Sequence, residues 1–336
     1  MTPPVRSPTA TAGALLALLG AAGPAAAAGN GGFAPVSPAS PNAQDITDTW
    51  WFVSIFILAV FVLVEGVLIA FVVRYRRRRR ARDVDGPQVH GSTRLETMWT
   101  VGPVLILVAI AAVVFVKLPG IRDVPSATAA GDRLQVRVEG RQFYWQYEYP
   151  NGVVAVQRLR APVGVPVELT VVTPETDVIH SWWIPALGGK IDAIPGFVNS
   201  TWFQAERTGV FRGQCAELCG LEHARMLAEV EVLPVDEFEA WLAEQEAAQA
   251  AGSSELGRAT WTAACATCHG LAGEGGVAVG APRLAGSALV RNRQAVEAIV
   301  RNGRNLMPGV GAGWSARQMD ALTGYLEREV AGGGQG

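Results

Sequence analysis

The chain has 336 residues, 49% of them hydrophobic and only 17% charged, with 28 basic and 30 acidic side chains. Soluble domains usually carry about 25% charged residues, so a simple cytosolic enzyme and a wholly disordered chain are both excluded. A prior of about 150 residues per domain suggests roughly two domains. The near-neutral balance hides a local basic block, Arg74, Arg76 to Arg80 and Arg82. A block of this kind beside apolar segments is a topology signal rather than a nucleic-acid footprint, so no nucleic-acid partner is expected.

Residues 1–28 read as a secretory signal: Arg6, a short apolar run from Ala12 to Ala22, and small residues at Ala25 to Ala28. Residues 29–46 are rich in Gly, Pro and Ser and are expected to form a flexible segment. Residues 47–122 read as a transmembrane helical hairpin. Trp50 to Val73 carries one charge, Glu65, and Met98 to Val116 carries none. Each can cross a bilayer core of about 30 Å, with spans expected at about 50–73 and 98–118. Trp50, Trp51 and Trp99 suit the membrane interface, and the Arg-rich loop marks the cytoplasmic side. Both chain ends then lie on the outer face of a bacterial plasma membrane, with lipid around the hairpin. Glu65 is costly against lipid and is expected to face a partner.

Residues 130–234 change character. Leu134, Val136 and Val138 alternate with polar residues, and Phe143 to Tyr149 is aromatic-rich. Val167 to Val172, Ser200 to Gln204 and Ala228 to Leu233 also read as strands, which argues for a β-sandwich. Within it lie His180 and the run from Cys215 to Met226, which holds Cys219 and His223. Soft sulfur donors with imidazoles favour copper. One thiolate would suit a single copper; two can bridge a pair, with one imidazole on each metal, while Met and a backbone carbonyl act as weak axial donors. A zinc site leaves Met226 unused, and a Cys215–Cys219 disulfide is the other alternative in an oxidising compartment.

Asp177 to Trp182, Lys190 to Gly196 and the Cys215 to Met226 run make residues 45–234 similar to subunit II of haem–copper cytochrome c oxidases. The resemblance implies a cupredoxin-like Greek-key sandwich and a binuclear copper A centre. Its ligands would be His180, Cys215, Glu217 through its carbonyl oxygen, Cys219, His223 and Met226. It also implies a magnesium ion shared with subunit I through the Glu217 carboxylate. The run His90 to Trp99 resembles the family as well, which would put Glu96 at the mouth of a proton channel; a helix-start glutamate is the other reading. Where the family has Trp-Tyr-Trp, this chain has Phe143-Tyr144-Trp145, so Phe143 and Trp145 stand at the electron-transfer positions, with the first altered.

Residues 235–253 read as a helix followed by a small, polar linker. Residues 254–332 open on Cys265-Ala266-Thr267-Cys268-His269, the c-type haem attachment pattern. Cys265 and Cys268 would carry the haem, with His269 and Met307 as axial ligands; Met319 is expected in the core. His/Met ligation favours electron transfer over oxygen chemistry. The module resembles an all-α class I cytochrome c. The whole chain thus resembles the electron-accepting subunit of a caa3-type oxidase, a proton-translocating oxidoreductase whose oxygen chemistry resides in subunit I. Subunit I, subunit III and a cytochrome bc1-type complex or soluble cytochrome c are the implied partners. A copper A nitric oxide reductase subunit, or a haem c docking module on a copper relay, would share these motifs. A copper-free quinol oxidase subunit would lack the six ligands.

Overall fold

The computed structural model describes residues 34–76, 88, 90–125, 133–252, 254–276 and 280–332. The expected signal segment and most of the arginine block lie outside the described residues. Two long helices, α1 (Pro41–Arg76) and α2 (Thr93–Arg122), carry exposed apolar side chains such as Leu63 and Phe115. At about 1.5 Å per residue, a 36-residue helix is longer than a bilayer core of about 30 Å. Both helices therefore overrun the expected spans. Their outer ends are joined by Lys117, whose ammonium lies 2.7 Å from Asp45 and 3.1 Å from Asp48. Glu65 lines a groove between the helices with Phe61, Ile106 and Ile110.

The segment expected to be flexible is packed from residue 38 onward. Ala39 N donates to Ala186 O (2.8 Å), Ser40 Oγ accepts from Gln204 N (3.0 Å), and Asn42 Nδ2 donates to Trp202 O (2.6 Å). Gly/Pro/Ser composition describes a chain that lacks regular structure, not one that lacks partners. Here it supplies polar groups for edge positions of the β domain that would otherwise need water.

That domain has ten strands: β1 (Leu134–Arg141), β2 (Tyr144–Glu148), β3 (Val154–Val156), β4 (Arg158–Pro162), β5 (Pro166–Val172), β6 (His180–Trp183), β7 (Ile191–Ala193), β8 (Asn199–Gln204), β9 (Gly209–Cys215) and β10 (Leu227–Leu233). They form two five-stranded sheets, ordered β3-β2-β1-β5-β8 and β4-β10-β9-β6-β7. The β1–β5 and β10–β4 pairs are parallel and the rest antiparallel. In β10, buried Ala228, Val230 and Val232 alternate with more exposed residues, the period of a half-buried strand. Val138, Trp145, Tyr147, Leu159, Leu169 and Val230 are fully buried between the sheets. The fold is the expected two-sheet sandwich.

Helix α3 (Val235–Ala250) follows, and Phe238 and Trp241 pack on Tyr149. The helix runs to Ala250, into the first half of the expected linker. Gln249 is buried, and its amide accepts from Val154 N (3.0 Å) and donates to Val154 O (2.8 Å), completing the edge strand β3. A small, polar sequence therefore makes a clamp rather than a tether. We expect Gln249→Ala to cost about 1–3 kcal/mol, because both Val154 backbone groups lose a buried partner. Faster hydrogen exchange at Val154 would show it; unchanged exchange would mean that water replaces the amide.

The C-terminal region is helical. Helix α4 (Ser254–Thr260) runs through a π-helical stretch (Trp261–Cys265) into α5 (Ala266–His269). Helix α6 (Arg293–Asn302) is capped by Asn292, and α7 (Ala316–Tyr325) by Ser315, each side chain accepting a bond from the helix backbone. Trp261, Val296, Val300, Met319, Leu322 and Leu326 fill the core, with Met319 in the role expected of it. Tyr144 of β2 is fully buried in this same cluster, although it belongs to the β domain.

Candidate metal centres

The first centre depends on long-range strand pairing. β6 pairs with β9 so that Trp182 lies opposite Cys215, which places His180 beside the start of the cysteine loop. Trp145 packs edge-on to the His180 ring, with centroids 6.0 Å apart. Gly140 permits this: a Cβ there would lie 3.0 Å from the Trp145 ring and 3.1 Å from the His180 Cβ. The loop returns through the short 3-10 turn His223–Arg225, and Met226 O accepts from Cys215 N (2.8 Å), closing its base.

Inside, the Cys215 and Cys219 sulfurs are 3.9 Å apart. His180 Nδ1 lies 4.0 Å from Cys215 Sγ, and His223 Nδ1 lies 3.6 Å from Cys219 Sγ. Met226 Sδ is 3.8 Å from Cys219 Sγ, and Glu217 O is 3.2 Å from Cys215 Sγ. His180, Cys215, Cys219 and Met226 are buried. Glu217 is exposed, so its backbone oxygen meets the sulfurs while the residue borders the surface.

The electrostatics favour cations here. Burial alone would push the Cys215 thiol up, but hydrogen bonding with His180 and with the Ser181 and Glu217 backbone brings it below its ordinary value. Burial and then the neighbouring Cys215 charge push Cys219 up. Without positive charge between them, the two sulfurs do not ionise together. Burial would lower His180, yet Asp177 and Cys215 together raise it. Asp177 Oδ1 lies 3.2 Å from His180 Nε2, which turns Nδ1 toward the sulfurs. Burial would raise Asp177, but His180 and backbone N–H groups of Val178 and Gln142 hold it low. Five soft or borderline donors, with the Glu217 carbonyl oxygen as a harder sixth, exceed the four of a tetrahedral zinc site. Each sulfur has its own imidazole, so the set fits two coppers.

The second centre lies in the helical module. His269 ends α5, and Gly270 (φ 79°) turns the chain away where a side chain would strike Glu274. His269 Nδ1 bonds Pro282 O (3.0 Å), which leaves Nε2 as the lone-pair nitrogen of the ring. Trp261 stacks on the imidazole at 6.4 Å and bonds Leu271 O. Cys265 is buried, and burial with the Cys268 charge beside it pushes its thiol up to about 12; Cys268 is exposed. Met307 is half-buried against the same cluster as Cys265 and Trp261. Its backbone is held by reciprocal bonds with Arg304, both 2.9 Å. An oriented histidine, two cysteines on one helical run and a methionine on the cluster's edge fit a covalent haem.

The other sequence-derived candidates separate. Phe143 packs on Gly220 of the cysteine loop and Trp145 on His180, so both adjoin the first centre. Glu96 is exposed in the first turn of α2, and its carboxylate accepts from Ser92 N (3.4 Å). That is the geometry of a helix-start glutamate. His90 is exposed. Sequence reasoning gave no role to Asp177, Gln142 or Arg141. Gln142 Nε2 donates to Cys219 O (2.6 Å), a contact across 77 residues that the local sequence does not signal.

Three family models match. "Cytochrome C oxidase subunit II, transmembrane domain" covers residues 30–116, and "Cytochrome C oxidase subunit II, periplasmic domain" covers 153–233. "Cytochrome C oxidase, cbb3-type, subunit III" covers 253–326. Cytochrome c oxidase subunit 2 of Alkalihalophilus pseudofirmus is 34% identical over 289 residues, spanning 81% of this chain and 84% of that protein. The Cereibacter sphaeroides counterpart is 35% identical over 228 residues, 57% of this chain and 73% of that one. The crystal structure of the periplasmic domain of subunit II from Bradyrhizobium japonicum is 34% identical, with a TM-score of 0.33, covering 36% of this chain and 98% of that one. Shared sequence thus runs through the helices, the β domain and beyond: the chain belongs to the cytochrome c oxidase subunit II family and is a bacterial membrane protein, a subunit of an oxidoreductase complex with its β domain of the periplasmic type.

Proposed function

We propose that this subunit accepts electrons through a haem c held by Cys265, Cys268, His269 and Met307. It passes them to a copper A pair held by His180, Cys215, Glu217 O, Cys219, His223 and Met226. In this reading, residues 130–234 are the copper domain and 254–332 the haem domain of a caa3-type oxidase, with subunit I as the acceptor. The observation that carries it is the pair of sulfurs 3.9 Å apart, each facing one imidazole nitrogen. Bound at these residues, a copper pair and a covalent haem would each supply a one-electron couple. The chain's own residues hold the donor atoms in place, so little geometry changes with charge. Asp177 fixes the His180 imidazole of the copper set, and Pro282 O fixes the His269 imidazole of the haem set. The buried walls, with Trp145 and Met226 fully enclosed, exclude water. A second support is the Alkalihalophilus relative: 81% of this chain is more than residues 1–233 amount to, so that likeness extends into the haem module. The Glu217 carboxylate, at the exposed rim, is assigned to a magnesium ion shared with subunit I. Subunit III and a bc1-type or soluble cytochrome donor complete the proposed partners.

Stepwise reduction of the purified full chain, followed by optical and electron paramagnetic resonance spectra, tests the reading. A six-coordinate haem c with a spin shared over two coppers is the expected result. Haem without the two-copper signal, in copper-loaded protein, would overturn the relay.

We further expect Met226→Leu to leave a folded domain, since the two side chains have similar volumes and such swaps usually cost less than about 1.5 kcal/mol. The copper potential should shift, because a weak axial donor tunes a site that other ligands build. Redox titration checks this; an unchanged potential would remove Met226 from the ligand set.

A further inference from the structure

The two centres meet at one turn. Arg141 ends β1 with its side chain almost wholly buried, only 5% exposed. Its Nη1 donates to Val310 O (3.0 Å) and its Nη2 to Ala312 O (2.7 Å). Those carbonyls belong to the connection between α6 and α7 that carries Met307. The next residue, Gln142, reaches the other way: its Nε2 donates to Cys219 O (2.6 Å) and its backbone N to Asp177 (3.2 Å). Successive residues of one turn thus grip the haem-side loop and the copper-side loop.

Neighbouring contacts repeat the pattern. Trp314 Nε1 donates to Tyr144 OH (3.0 Å), and Gln318 Nε2 donates to Gln146 Oε1 (2.8 Å), both buried. From the helical side, Arg301 Nη1 holds Gly311 O (3.4 Å) and Trp314 O (3.1 Å). The 310–314 loop is therefore fastened twice, by Arg301 of its own module and by Arg141 of the β domain. Arg141 is itself aimed by Glu139, which also pairs with Arg137 (3.2 Å). A guanidinium suits this task because its planar fork can serve two carbonyls and a carboxylate at once, which an ammonium cannot do with fixed geometry.

We infer that Arg141 is a positioning residue that fixes the Met307-bearing loop against the Cys215–Met226 loop, so that the β domain completes the haem site. This rests on the assignment of the two centres above. It goes beyond that assignment in making the relay a built joint rather than two tethered domains.

The test uses the full-length, metal-loaded chain in wild-type form and as Arg141→Met, Arg141→Lys and Glu139→Gln/Arg141→Met. The double variant also removes the Glu139 carboxylate, which would keep only Arg137 as its partner, should the single one fold poorly. In Arg141→Met, amide exchange across 310–314 should rise by about tenfold or more, the order expected when a charge-assisted hydrogen bond is lost. The 293–302 helix should keep its protection. Electron exchange between haem and copper after flash reduction should slow by about tenfold or more, with both spectra retained, and Arg141→Lys should restore part of it. A merely structural role would leave the electron exchange rate unmoved in the folded variants. Rates and amide exchange within about twofold of wild type in both Met variants would overturn the inference. Failure of the underlying assignment is seen separately, because wild type would then already lack the sulfur-ligated haem or the two-copper signal.

Discussion

Replacing Cys219 with Ser should abolish the two-copper signature and leave at most one copper per chain. Cys219 Sγ is the hub of the candidate centre, 3.9 Å from Cys215 Sγ, 3.6 Å from His223 Nδ1 and 3.8 Å from Met226 Sδ. A serine hydroxyl stays protonated near neutral pH and is a hard donor, so it cannot bridge soft metals. The donors left, His180, Cys215, His223 and Met226, are those of a single-copper electron-transfer site. Such a site reorganises more on electron transfer than a pair that shares its charge. Turnover of the assembled oxidase should therefore fall by on the order of 100-fold, at or beyond the ~10–100-fold that loss of an outer-shell partner costs. The β domain should still fold, because Cys219 is only one member of a core built on Leu159, Leu169 and Val230. Metal counting and paramagnetic resonance check the outcome. A surviving spin shared over two coppers would remove Cys219 from the bridge.

Much of this architecture is legible in the sequence, and what is not has physical causes. The two apolar runs declare helices, but their true ends do not show, because Lys117, Asp45 and Asp48 pair across the hairpin and carry the helices past the apolar stretch. Strands β1, β5 and β10 show alternation. Strands β6 and β7 have four and three residues, too few for a period to emerge. Yet β6 supplies His180, and only its pairing with β9 brings that ring to Cys215. The ligand motifs are legible because copper and haem chemistry restrict residue type at short spacing. The interface between modules is not. Arg141, Gln146, Gln249 and Gln318 look like ordinary surface residues, and what buries them is a partner 95 to 172 residues away. Tyr144 shows the same effect: it sits in an aromatic run that reads as one domain's core, and its hydroxyl ends in the other's.

Deleting residues 254–336 should cost oxidation of the natural donor at least about tenfold, while small reductants that reach the copper loop directly keep most of their rate. Joining two modules in one chain gives an effective concentration of roughly millimolar. Here the gain is larger in kind, because the haem module is docked through Arg141, Tyr144, Gln146 and Val154 rather than left to search. Phe143 packs on Gly220 of the cysteine loop. A direct external route through it is the one that the truncated chain would have to use. Truncation also uncovers Tyr144 and Val154 and strands the Arg141 guanidinium without its two carbonyls. The small-reductant rate is therefore the internal control for an intact copper domain. Natural-donor oxidation that survives the deletion in full would mean that electrons reach the copper loop without the haem module. A selective loss, with small reductants still oxidised, is what a donor built into its acceptor requires.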